Sequence, residues 1–301
     1  MRNFIVSDLH GNGNIYSSII KYLENISETD EITLYINGDL IDRGPDSGEM
    51  LMDVIDRIKN NKKFKIEYLA GNHELMMYQA SKYRRKDNYR WPYHNIWFAN
   101  GAETTAAYLE TKLTYEEESD VVDFISNLKL YHKFNEKLNG KPIVLVHAKC
   151  PKEVKDECDL IVKDNNFEVS YYVWTRRYDD WGRLTNNLGD ENYFTIIGHT
   201  PVNDEKGYEY NLSENYLNID GGCAKYACGL TDYAHTPLVE IDEKHDRLVI
   251  LTFNSNNEIE QGHYFTRGIS YSIKEDELNK YRTSLDKNKN VKELVLKENN
   301  N

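Results

Sequence analysis

Four cysteines in 301 residues are too few to staple a fold of this size. Cys150 and Cys158 are separated by seven residues, and Cys223 and Cys228 by four, so neither pair has zinc-knuckle spacing. Four reduced thiols are expected. Six prolines and 17 glycines exclude a fibrous or low-complexity chain. No apolar run approaches the roughly 18 residues of a membrane-spanning helix. The start, MRNFIVSDLHG, has no apolar segment followed by small residues, so a signal peptide is not expected. These absences lead to the expectation of a cytoplasmic protein without a membrane partner. A basic excess is also missing. Lys and Arg total 37 against 50 Asp and Glu, a net charge of −13, which disfavours a nucleic-acid coat protein.

What is present is a hydrophobic fraction of 40%, enough for a sizeable core. The length suits two ordinary domains or one large α/β domain. Apolar runs rich in β-branched and aromatic residues predict strands at Phe4–Ser7, Thr33–Ile36, Lys65–Ala70, Pro142–His147, Tyr193–Gly198, Tyr216–Asp220, Pro237–Ile241 and Leu248–Phe253. Ile15, Ile19, Leu23 and Ile26 mark one face of a helix, as do Leu51, Val54, Ile55 and Ile58. The first 80 residues therefore alternate strand and helix, which predicts a largely parallel sheet. The last third predicts a second, more antiparallel sheet. The middle, about residues 80–140, is expected to be mostly helical. Residues 1–267 are expected to form one domain, and residues 268–301 a polar, helical appendage outside the core. Tyr, at 23, outnumbers the 9 Phe and 4 Trp together, without a functional reason in the sequence.

Five predicted strands run into residues that strands do not need. They are Asp8-Leu9-His10-Gly11, Gly38-Asp39-Leu40-Ile41-Asp42-Arg43-Gly44, Gly71-Asn72-His73-Glu74, His147-Ala148 and Gly198-His199. In open α/β sheets, ligands sit beyond the carboxyl ends of strands. Asp8, His10, Asp39, Asn72, His147 and His199 offer carboxylate, amide and imidazole donors without thiolate. That set suits Mn, Fe, Zn or Ni. It exceeds one tetrahedral zinc and suits two ions about 3.5–4 Å apart. Each cluster alone reads equally well as a cap, a turn or a buried histidine. Five together, each at a strand end, do not.

The order of these motifs resembles the calcineurin-like metallophosphoesterases. Asp42-Arg43-Gly44 and Asn72-His73-Glu74 resemble the phosphoprotein phosphatase branch, nearest its bacterial and phage serine/threonine phosphatases. Asn100-Gly101, Val173-Trp174-Thr175-Arg176 and Ile219-Asp220-Gly221-Gly222 fit the same branch, and the resemblance spans residues 1–253. It implies an α/β fold of two mixed β-sheets packed as a sandwich and flanked by helices. It also implies a binuclear centre, with manganese the expected metal. Asp8, His10 and bridging Asp39 would hold one ion. Asp39, Asn72, His147 and His199 would hold the other. His73, paired with Asp42, would protonate the leaving group. Arg43 and Arg176 would grip phosphate, with neighbouring Arg177 the alternative to Arg176. The implied reaction is direct hydrolysis of a phosphomonoester, such as phosphoserine or phosphothreonine in a protein, by a hydroxide bridging the metals.

Two other readings remain open. One is a nucleotide or RNA-end phosphoesterase, such as a diadenosine tetraphosphate hydrolase, which Gly44-Pro45-Asp46-Ser47 also resembles. The other is a non-catalytic metal-binding scaffold. Residues 82–93, KYRRKDNYRWPY, interleave basic and aromatic side chains as single-strand binders do. A solvated helix end explains them as well.

Overall fold

The structure is a computed structural model describing residues 1–60, 63–84, 91–92, 95–164, 166–176, 188–202, 205–210, 215–232 and 234–285. Its amino-terminal third alternates β1 (Arg2–Val6), α1 (Gly13–Ile26), β2 (Ile32–Asn37), α2 (Ser47–Asn60), β3 (Lys65–Leu69) and α3 (Asn72–Ser81). β1, β2 and β3 pair in parallel, as the sequence predicts. The alternation of side chains explains the near-continuous apolar runs. Phe4 and Val6 of β1 pack under the helices, while Ile5 faces the opposite way into a second core.

Helices α4 (Glu103–Lys112) and α5 (Tyr115–Ser126) follow, then β4 (Tyr131–Leu138) and β5 (Lys141–Val146). β4 is a strand that the expectation of a mostly helical middle did not include. Its Lys and Glu residues dilute the apolar pattern, leaving Tyr131, Phe134 and Leu138 as its buried hydrophobic side chains. The available signal was Asn139-Gly140, both at positive φ, which close the β4–β5 hairpin. The chain continues through α6 (Phe167–Trp174), β6 (Phe194–Ile197), β7 (Glu209–Tyr210), β8 (Tyr216–Asn218) and α7 (Cys223–Ala227). β9 (His235–Asp242), β10 (Arg247–Asn254), β11 (Ile259–Thr266) and β12 (Ile269–Ser272) complete the strands.

Two mixed sheets result. One runs β12-β11-β10-β9-β1-β2-β3 and the other β4-β5-β6-β8-β7. The expected fold class holds, but of the strands in the last third only β7 and β8 join the second sheet. The antiparallel strands β9 to β12 do not build it. They extend the first, because β9 pairs antiparallel with β1. Ile5, Tyr35 and Leu69 of the first sheet meet Phe134, Leu145, Phe194 and Ile196 of the second in one buried layer. No helix among the described residues is long and apolar enough to cross a membrane.

Residue 268, where the appendage is expected to begin, falls in the turn between β11 and β12. A further helix, α8 (residues 275–285), returns to the body, with Ile273, Leu278 and Leu285 buried. The segment is mostly polar, so the buried contacts of Leu278 and Leu285 in the helix, and of Ile273 just before it, escaped the composition argument. Residues 286–301 lie outside the described residues. Leu278→Ala should cost about 2–4 kcal/mol in a urea melt, the usual loss for a buried leucine. An unchanged melt would support an appendage outside the core.

Candidate metal centre

Each of five strands delivers its polar group in the residues just past its end. Asp8 and His10 follow β1, Asp39 follows β2, Asn72 follows β3, His147 follows β5 and His199 follows β6. The backbone is strained where they turn inward. Asp8, His10, Asp39, Asp42, Arg43 and His199 all have positive φ, six of the eleven non-glycine cases among the described residues. Such strain clusters at functional sites because the surrounding packing must hold it. The glycines beside them allow the loops to meet. A Cβ on Gly38, at φ +79°, would overlap Gly71, and one on Gly198 would overlap Ser7 and Asp8.

Glu74 ties two of these loops together from beneath. Its buried carboxylate accepts from Asp39 N at 2.9 Å, Leu40 N at 3.1 Å, Gly71 N at 2.8 Å and the Tyr68 hydroxyl at 2.6 Å. Asp39 is thereby presented to three imidazoles. Its Oδ2 lies 3.5 Å from His10 Nε2 and 3.9 Å from His73 Nε2, and its Oδ1 lies 3.4 Å from His147 Nε2. Two trios, His10–Asp39–His73 and Asp39–His147–His199, have donor atoms within 4.8 Å of one another. Asp39 is common to both.

The remaining contacts fit cations. His147 donates from Nδ1 to Asn37 O at 2.8 Å, which aims Nε2 at Asp39 and at Asn72 Oδ1, 3.1 Å away. His10 Nδ1 is likewise tied to Ile41 O at 3.1 Å, leaving Nε2 for the centre. Both ring nitrogens of His199 are buried without a hydrogen-bond partner, a costly state that a ligated ion would relieve. Asp8 stands outside both trios. Its carboxylate accepts the His199 N–H at 3.0 Å. Burial and the charge of Asp220 push its pKa well above the carboxylate range. Asp220, itself buried, is pushed to about 6 by burial, with the Asp39 charge adding to the rise. Crowded carboxylates of this kind call for positive charge between them. The donor set, oxygen and imidazole without thiolate, fits hard or borderline divalent ions.

His73, a member of the first trio, is also half of a buried pair. His73 Nδ1 is 2.7 Å from Asp42 Oδ2, with both side chains buried. Burial alone would lower the His73 pKa, but the carboxylates of Asp39 and Asp42 outweigh it and hold the imidazole above its usual value. Asp42 is itself raised by burial, despite its donors. Arg43 NH2 reaches His73 Nε2 at 3.2 Å. Arg176 is exposed at the end of α6, close enough that its charge, with burial and His147, lowers the His199 pKa. Arg177 lies outside the described residues.

Three contributors had no role in the sequence reading. Asp220 was visible only as part of a motif. Trp97 and Thr105 bond Asp42 from a distant segment, and no local pattern marks them. Among residues 82–93, Arg84 and Trp91 turn inward. The Arg84 guanidinium lies over Trp91 at 5.2 Å and Tyr115 at 4.9 Å, and pairs with buried Glu118. These two residues are not a surface platform for bases. Residues 85–90 and 93 lie outside the described residues.

The calcineurin-like phosphoesterase family matches residues 1–229. The chain belongs to that family. Its members work through a binuclear metal centre, and the two trios sharing Asp39 lie within the matched segment. This metallophosphoesterase is 26% identical over 242 residues to the asymmetrical bis(5'-nucleosyl)-tetraphosphatase PrpE of Anoxybacillus flavithermus, covering 73% of this chain and 84% of that protein. The PrpE of Bacillus cereus is 24% identical over 234 residues, covering 74% and 86%. Among solved structures, a serine/threonine phosphatase from Saccharomyces cerevisiae, with similarity to human PP5, aligns at TM-score 0.55. That alignment has 13% identity and covers 84% of this chain and 79% of the yeast chain. A structure described as a putative diadenosine tetraphosphatase aligns at TM-score 0.50 and 14% identity, covering 83% and 93%. At these identities the structural likeness bears on the fold alone.

Proposed function

We propose that this metallophosphoesterase hydrolyses phosphomonoesters directly, without a phosphoenzyme, and that phosphoserine and phosphothreonine in proteins are its substrates. The observation that carries this reading is the buried Asp42–His73 pair, 2.7 Å apart, whose histidine also faces Asp39 in the first trio. An alkoxide is a poor leaving group and needs a proton as the bond to phosphorus breaks. His73, with Nδ1 fixed on Asp42, presents Nε2 toward the centre for that task.

Asp8, His10 and Asp39 would hold one divalent ion, and Asp39, Asn72, His147 and His199 the other. Manganese is the expected metal. Such a pair supplies an activated water and positive charge against the phosphoryl oxygens. The chain adds its own charge. Arg43 and Arg176 offer planar forks for phosphoryl oxygens. Arg43 has only donors, so its contact with Nε2 suits an unprotonated nitrogen. When Arg43 turns onto a phosphoryl group, Nε2 is freed to carry the proton that the leaving oxygen takes.

A second reading is favoured by the names of the curated relatives, a dinucleoside tetraphosphatase activity. There the leaving group is a nucleotide phosphate, which departs without strong need of an acid. The two readings separate in one panel of Mn-loaded protein. Phosphoserine, phosphothreonine and phosphotyrosine peptides, diadenosine tetraphosphate and cyclic nucleotides are compared by kcat/KM. Phosphoserine or phosphothreonine should rank first. Diadenosine tetraphosphate at the top would replace this reading with the second.

A further inference from the structure

We propose that Trp97, assisted by Thr105, is a positioning residue for proton transfer, its indole N–H fixing the Asp42 carboxylate that aims His73. The inference rests on the reading of His73 as proton donor and deepens it.

Asp42 receives more than its histidine. Trp97 Nε1 donates to Oδ2 at 2.7 Å, the same oxygen that His73 Nδ1 uses. Thr105 Oγ1 donates to Oδ1 at 2.6 Å and accepts the Asp42 N–H at 3.0 Å. Both carboxylate oxygens are therefore held, and rotation about the last side-chain bond would break all three contacts at once. Asp42, Trp97 and Thr105 are fully buried, so water cannot substitute for a missing donor.

The placement of Trp97 is itself rigid. Its ring packs edge-on against Trp91, with centroids 4.8 Å apart, and against Phe98 at 5.6 Å. An indole in an apolar core needs some acceptor for its N–H. Here that acceptor is the carboxylate paired with the candidate acid. The same segment also grips the neighbouring arginine. Gly101 O accepts the Arg43 N–H at 2.8 Å, and Asn100 O accepts from Arg43 Nε at 3.3 Å. Gly101, at φ +93°, is needed there because a Cβ would press on Arg43 Cγ at 2.9 Å. Residues 97–105 thus set the direction of the Asp42–His73 pair and of the Arg43 phosphate grip together.

Trp97→Phe keeps an aromatic ring and removes the donor. In metal-loaded protein it should lower kcat on a phosphothreonine peptide about 10-fold, in keeping with a lost bond to a charged group, with KM unchanged. On 4-nitrophenyl phosphate, whose leaving group needs no proton, the loss should be much smaller. In a His73→Ala background, Trp97→Phe should cause no further loss on the peptide. Thr105→Val repeats the comparison without touching the aromatic cluster, and serves where Trp97→Phe does not melt cooperatively. In metal-free protein, Asp42→Asn should shift the Trp97 indole proton resonance, a readout independent of turnover. Equal losses on both substrates, or losses that multiply with His73→Ala, would make Trp97 a packing residue and overturn the proposal. If His73→Ala discriminates between the substrates and Trp97→Phe does not, the positioning role alone fails. If His73→Ala does not discriminate, the acid reading fails and takes this role with it.

Discussion

His73→Ala should lower kcat on phosphoserine by ~10²–10⁴, the range that a general acid contributes. The loss on 4-nitrophenyl phosphate should be far smaller. The reason is the leaving group. A serine alkoxide cannot depart without a proton, whereas a nitrophenolate is stable alone. The geometry is specific enough for the test to be sharp. His73 Nδ1 is committed to Asp42 at 2.7 Å, so Nε2 is the nitrogen that meets substrate. His73 also belongs to one of the two trios around Asp39, its Nε2 3.9 Å from Oδ2. Elemental analysis therefore accompanies the kinetics. Full metal content with the leaving-group dependence supports an acid. Lost metal with a uniform rate loss makes His73 a ligand. Wild-type activity on phosphoserine ends the proposed role altogether.

Asp39→Asn is expected to be the most damaging single substitution in the centre. It removes the one carboxylate common to both trios while leaving its shape. Metal content should fall below one ion per chain, and turnover with it by more than ~10³, as for other groups that act as a unit. Full occupancy would contradict a bridging place.

The same carboxylate governs the pH response of metal-free protein. Burial alone would lower the His147 pKa, but Asp39 and Asp8 raise it to about 10. Its folded pKa therefore lies above the unfolded value of roughly 6.5. The sign follows from linkage. The protonated histidine contributes stability that is complete below roughly pH 6.5 and is lost as pH rises through about 10. Metal-free protein should melt progressively lower across that interval, and Asp39→Asn should flatten the dependence. Metals compete with this proton for Nε2. Their affinity should rise by up to about tenfold per pH unit over the same range, for one proton displaced. Titration of Mn into metal-free protein at several pH values checks it.

The legible part of this molecule was local. β1, β2, β5 and β6 were visible because most of their residues on both faces are buried, which makes near-continuous apolar runs. β3 was visible by alternation, with Ile66 and Tyr68 buried between exposed Lys65 and half-buried Glu67. The ligand types stood directly after those runs, where the chain must leave the sheet. Asp39, Asn72, His147 and His199 could therefore be named from short stretches of sequence. β4 was obscured because its less buried positions are polar or charged, and α8 because a mostly polar helix can bury two side chains, here Leu278 and Leu285. Neither omission touched the centre.

By itself, then, the sequence determined which donor types stand at the candidate site and the order in which strands supply them. It did so because each donor is adjacent to the strand that carries it. Only the tertiary structure decided the relations between donors. Which oxygen of Asp39 faces which imidazole depends on Glu74 joining the loops after β2 and β3. That β9 closes on β1, rather than starting a second sheet, depends on a pairing of residues more than two hundred positions apart. The hold on Asp42 is another such case, since Trp97 reaches it across 55 residues of chain. Contacts of that kind are created by folding, and the residues that make them carry no mark until the chain has folded.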